Sequence, residues 1–135
     1  MSDYTPVNSD ASAVTLTAGT AVTGGLLVAA ISDNTVAHTS ATTNRAIGVA
    51  AHDAPAGGRV TVYLLPGFIH EVPVSAGVSI ATNGPVVCST TSGRIESTSG
   101  GVWASSSAAG INLGVCIRGT TGTVAGDAKA RFLGI

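Results

Sequence analysis

A chain of 135 residues with 44% hydrophobic side chains is long enough to bury a core of its own and amounts to one domain. Its charge is sparse: six basic and seven acidic residues make 10% of the chain and sum to -1, where soluble domains carry roughly 25%. That excludes the clustered basic footprint nucleic acid requires, and the longest apolar runs, LLVAAI and AIGVAA, fall far short of the ~20 residues of a membrane helix. With about 6,400 Å² of folded surface, there is about one charge per 500 Å². Free monomers rely on interspersed charge to stay apart, so much of this surface is expected to be covered.

Residues 1–12 are polar and hold Pro6. No basic segment leads into an apolar core, so they read as an extended arm and not as a secretion signal. Tyr4, Pro6 and Val7 make the arm suited to adding a strand to a neighbour's sheet edge, and these three are the expected contacts to a partner. Residues 13–135 read as a single all-β domain. In RVTVYLL, Val60, Val62 and Leu64 alternate with Thr61 and Tyr63, the period of a half-buried strand. LPGF, residues 65–68, supplies Pro and Gly in the order of a type II turn. FIHEVPV then returns with Phe68, His70, Val72 and Val74 on one side.

Further on, VSIA and VVCS flank TNGP, where Asn83-Gly84 predicts a hairpin. GRIEST, VWASS, LGVCIRG and AKARFLGI continue as short strands. Residues 97–110 are low in complexity and read as a surface loop around a short strand holding Trp103. AIGVA at residues 46–50 is echoed by NLGVC at 112–116, each before a glycine-rich turn and another strand. Glycine inside a strand marks a bulge or a close backbone approach, so the two stretches are candidates for equivalent strands.

Reactive constellations are missing where the residue types invite them. His52 and Asp53 are neighbours, and neighbours in a strand point to opposite faces, so they form no relay. In AHDAPAGG, Pro55 is predicted at the second position of a type I turn that Gly57 closes. Gly57-Gly58 is no phosphate loop, because the single lysine, Lys129, lies near the end of the chain. His70-Glu71 begins like a zinc-protease helix, but Val74 stands where the second His belongs and Pro73 blocks a helix. The acids show no pairing suited to glycoside hydrolysis. Catalytic, cofactor and metal residues are therefore expected to be none, unless His38, His52 and His70 converge. Cys88 and Cys116 sit in apolar strands and are expected to be reduced, buried thiols.

The stretches GGLLVAAISDNTVAHTSA, RAIGVAAHDA and RVTVYLLPGFIHEV, running from Gly24 to about Val74, resemble the head-decoration or capsid-cement proteins of tailed bacteriophages, including the lambda-type family. Residues 75–135 match that pattern less well and are closer to larger cement proteins. The resemblance implies a small β-barrel or sandwich of β-tulip type behind an extended N-terminal arm. It implies a non-enzymatic homotrimer, without cofactors, on the outside of the expanded head. Its partners would be the major capsid protein and itself, with no nucleic acid and no membrane. The role would be to hold the shell against packaged-DNA pressure, after assembly in the host cytoplasm. Trp103 is the candidate interface anchor. The alternative is a carbohydrate-binding module of a fibre or adhesin, with Trp103 and Tyr63 as its platform; only five aromatics, Tyr4, Tyr63, Phe68, Trp103 and Phe132, serve such a role.

Overall fold

A computed structural model describes residues 4, 12–40, 43, 45–75, 80–89, 92–97, 112–119 and 129–134. Among them there is no helix. Ten strands form: β1 Ala13–Ala18, β2 Leu27–Ser32, β3 Thr35–His38, β4 Ala46–Ala50, β5 Arg59–Leu64, β6 Ile69–Pro73, β7 Pro85–Cys88, β8 Ile95–Glu96, β9 Asn112–Arg118 and β10 Lys129–Gly134. The first five close into a barrel in the order β1-β3-β2-β4-β5, and the last five make a sheet in the order β6-β10-β9-β7-β8.

These are the same arrangement twice. Starting from β3, the barrel runs β3-β2-β4-β5-β1, and the second sheet runs β8-β7-β9-β10-β6. The registers agree residue by residue. Val28 pairs with Gly48 and Ala29 with Ala46, one residue being skipped; Val86 pairs with Gly114 and Val87 with Asn112, with the same skip. Tyr63 lies between Ala13 and Val49, as Leu133 lies between Ile69 and Val115. The parallel pair Ala18–Val36 that closes the barrel has its counterpart in the parallel bridge Val74–Ile95. AIGVA and NLGVC are thus equivalent strands, β4 and β9.

Backbone torsions keep the equivalence where side chains do not. Gly25 and Asn83 hold corresponding places with φ of 88° and 69°, and Asn34 and Gly93 hold another pair with 53° and 71°. Glycine and asparagine are the residues that enter this left-handed region at least cost. The N–H of Gly25 donates to Ala50 O at 2.8 Å, and that of Asn83 to Cys116 O at 2.7 Å. Gly48 and Gly114 are needed for space: a Cβ there would lie 2.3 Å from Tyr63 O and 2.0 Å from Leu133 O.

The interiors differ in size. Ala18, Val28, Val36, Ala50, Val60 and Val62 fill the closed barrel, whose five strands leave a narrow lumen that small side chains occupy. The second core holds Phe132, Leu113, Ile80, Ile95, Val72 and Val74, and is completed by Leu27, Val49 and Leu65 from the first half. Leu27 and Val49 neighbour the inward Val28 and Ala50, so they project from the outside of the barrel into the second core. Two bonds stitch the junction at the β7–β8 turn: Leu27 N–H donates to Gly93 O at 2.9 Å and Gly93 N–H to Thr39 O at 3.1 Å.

Two turn expectations need correction. Asn83-Gly84 makes a turn, with Gly84 N–H on Ala81 O at 3.0 Å, but no hairpin: among the described residues β7 pairs with β8 and β9, and Asn83 itself bonds β9. The proline turn is shifted by one residue, with Gly58 N–H on Pro55 O at 2.9 Å and Gly57 third in the turn at φ 82°. The left-handed demand of that third position is met by Gly57, and the turn frame follows the glycine rather than the proline.

Candidate functional site

Two residues of the arm are described, Ser12, whose carbonyl accepts the Leu64 N–H at 2.9 Å, and Tyr4, which is bound to the chain's own β-domain. Its N–H donates to Ala51 O at 2.6 Å. Its ring meets Tyr63 edge-on with centroids 6.1 Å apart and stacks on His70 at 5.9 Å. The Tyr4 hydroxyl is 2.8 Å from His70 Nδ1 and accepts the Glu71 N–H at 3.2 Å. On the far side of the imidazole, Nε2 lies 2.9 Å from Leu64 O. A carbonyl only accepts, so Nε2 carries the proton and Nδ1 receives the Tyr4 O–H. The chain Glu71 N–H, Tyr4 Oη–H, His70, Leu64 O is fully paired where β5 hands over to β6.

Burial sets the electrostatics here. His70 is fully buried, and desolvation lowers its pKa, partly offset by the Leu64 carbonyl. The Tyr4 hydroxyl is pushed above its ordinary value, first by burial and then by the nearby Glu71 and Tyr63, against the Glu71 N–H that favours the phenolate. Both groups are therefore held neutral, which suits an anchor. Tyr4, expected as a contact to a partner, lies against the chain's own domain, where His70 offers a buried acceptor that an aromatic hydroxyl can satisfy. Pro6, Val7 and Trp103 lie outside the described residues.

The three histidines do not converge. Each takes one tautomer and bridges two groups nearby. His38 accepts the Thr23 N–H on Nε2 at 2.9 Å and donates from Nδ1 to Leu27 O at 2.9 Å. His52 accepts the Thr61 N–H on Nε2 at 3.3 Å and donates from Nδ1 to Asp53 O at 2.9 Å. Asp53 accepts the Gly24 N–H on its carboxylate at 2.9 Å, while His52 bonds its backbone carbonyl. Among the described residues no three His, Cys, Asp or Glu side chains gather to hold a metal ion.

Cys88 and Cys116 are free thiols, both with the pKa raised by burial first. Cys116 sits opposite the Gly84 end of β7 and Cys88 at the other end, about 13 Å away along the ladder. A disulfide needs Cα atoms within roughly 7 Å. The sequence marked the three histidines as candidates and said nothing of the backbone groups that each one bonds. It held no sign of the Tyr4–His70 bond, which joins residues 66 apart.

No family model matches the chain, and no curated protein matches it. Among solved structures, the N base of head fiber gp8.5 of bacteriophage phi29 shares the fold, with a TM-score of 0.64, 16% sequence identity, and alignment over 92% of this chain and 93% of that one. The likeness covers both five-strand halves together. It is to the base of a head fiber and does not single out lambda-type decoration proteins.

Proposed function

We propose that this chain is a structural protein of a bacteriophage head, carried on the outside of the shell and bound to the major capsid protein. The observation that carries this reading is the fold shared along nearly the whole of both chains with a phage head-fiber base. The sparse charge supports it, since contacts to a shell and to other copies would cover surface that a free monomer must keep solvated. In this reading the protein works without an active site. It acts as a homotrimer that decorates and braces the expanded head, assembled in the host cytoplasm. The histidines support a non-enzymatic role because each is spent on backbone or hydroxyl hydrogen bonds. The carbohydrate-binding alternative gains nothing from Tyr63, whose ring is engaged by Tyr4.

The test is co-sedimentation of purified protein with expanded, undecorated heads, with light scattering of the free protein alongside. Saturation at a fixed ratio to capsid subunits is the expected result. No binding to heads at any concentration would remove the proposal.

A further inference from the structure

The outer face of the second sheet is laid out in rows across its strands. One row is apolar: Ile69, Leu133, Val115 and Pro85 follow one another on β6, β10, β9 and β7. The next is charged: Glu71, Arg131 and Arg118 stand side by side, and Lys129 continues it along β10 opposite Pro73. At the irregularity in β9 beside Arg131, Ile117 also turns outward. Leu133 is 39% exposed and Ile117 45%, two of the four large hydrophobic side chains in the described residues that face water so openly. Arg131 bonds Glu71 at 2.8 Å, while Arg118 and Lys129 have no ion-pair partner among the described residues. Three of the chain's six basic residues therefore share this face with two described acids, Glu71 and, on the edge strand β8, Glu96.

The internal repeat says what such a row is for. Its counterpart on the barrel is Ala13, Tyr63, Val49 and Leu27. There Val49 and Leu27 are fully buried in the second core and Tyr63 is capped by Tyr4. Tyr4 donates its N–H to the carbonyl of Ala51, which corresponds to Ile117. The same lattice of positions is a contact surface in the first half; in the second, Pro85 is buried and Ile69 and Val115 half-buried, while Leu133 and the neighbouring Ile117 stay exposed.

We infer that the outer face of the second sheet, centred on Leu133 and Ile117 and bordered by Arg118, Arg131 and Lys129, is the docking surface for a protein that presents carboxylates beside an apolar strip. This rests on the function proposed above, in which that protein is the shell subunit. Apolar burial supplies the affinity, and the basic border supplies steering and register.

Leu133→Glu and the double variant Arg118→Glu/Lys129→Glu reverse the two features separately, and Thr15→Glu alters the corresponding face of the barrel as a control. Each variant is titrated against expanded, undecorated heads. The first two are expected to weaken binding by about tenfold or more, and the control to stay within about twofold. Arg118 and Lys129 are exposed, so the double variant keeps the fold if Leu133→Glu does not. Wild-type binding with both variants unimpaired overturns the docking face and leaves the phage-head reading standing. Absence of wild-type binding overturns both. Variants that bind heads normally but lose self-association would give the face to a second copy, and overturn the assignment to the shell.

Discussion

Thr17 and Pro73 occupy the same place in the two five-strand halves. Thr17 pairs with Thr35 and donates its N–H to Asn34 O at 2.9 Å, one of the bonds that close the barrel. Proline has no N–H to donate. Among the described residues of the second half, the closing backbone contact shrinks to the Val74–Ile95 bridge and the Ser75 N–H on Ile95 O at 3.0 Å, the counterpart of Gly19 N–H on Val36 O. The carbonyl that Pro73 leaves unclaimed belongs to Gly93, and it accepts the Leu27 N–H of the first half instead. One repeat is thus self-contained, and the other spends part of its closure on its neighbour. Identical topology does not mean identical autonomy.

The largest expected effect tests whether the halves are truly equivalent. Gly48→Val and Gly114→Val each place a Cβ against the carbonyl of the next strand, and each should cost about 4 kcal/mol or more by urea unfolding. A small loss at either position would break the correspondence. The left-handed pair offers a sharper contrast. Asn34→Gly should change stability by about 0.5 kcal/mol or less, because either residue fits its turn. Gly93→Asn should cost about 2 kcal/mol, since a Cβ there meets Leu26 Cβ at 2.7 Å across the junction.

Acid should weaken the molecule through His70, a residue whose counterpart in the barrel is Val14. The folded pKa of His70 lies below its ordinary value, so below about pH 6.5 the unfolded chain binds the proton that the folded chain refuses. This contribution is full above that pH and is lost as pH falls toward the lowered folded value, at up to about 1.4 kcal/mol per pH unit. Unfolding midpoints at about pH 7.5 and pH 5.5 should differ in the wild type, and the difference should shrink in His70→Gln. An unchanged difference would mean the slope comes from other groups. The smallest effect belongs to the surface. Glu71 and Arg131 stand where the barrel has Thr15 opposite Thr61. Replacing both with Thr should shift stability by about 0.5 kcal/mol or less, as exposed pairs contribute little.

Strand content was legible because period-2 alternation is a local signal: RVTVYL is β5, with Val60 and Val62 fully buried. The LPGF turn was legible for the same reason, Gly67 taking φ 80° and Phe68 N–H reaching Leu65 O at 3.3 Å. The echo of AIGVA in NLGVC pointed to equivalent strands, yet the whole repeat was hidden. What persists between the halves is a set of torsions and close approaches, and Gly25 against Asn83 looks like a difference until φ is known. The Tyr4 seat was illegible in a stricter sense. It depends on where β5, β6 and the loop at Ala51 meet, and no local pattern encodes that meeting.

All five barrel strands are consecutive, ending at Leu64, so a nascent chain holds every one of them before any of the second sheet has left the ribosome. Domains tend to fold in that order during synthesis. Until β6–β10 arrive, however, Leu27 and Val49 project from the finished barrel with nothing over them. That interval is when the young protein is stickiest. A ribosomal pause placed just after the barrel would lengthen the exposure, and rapid translation of the second half would shorten it.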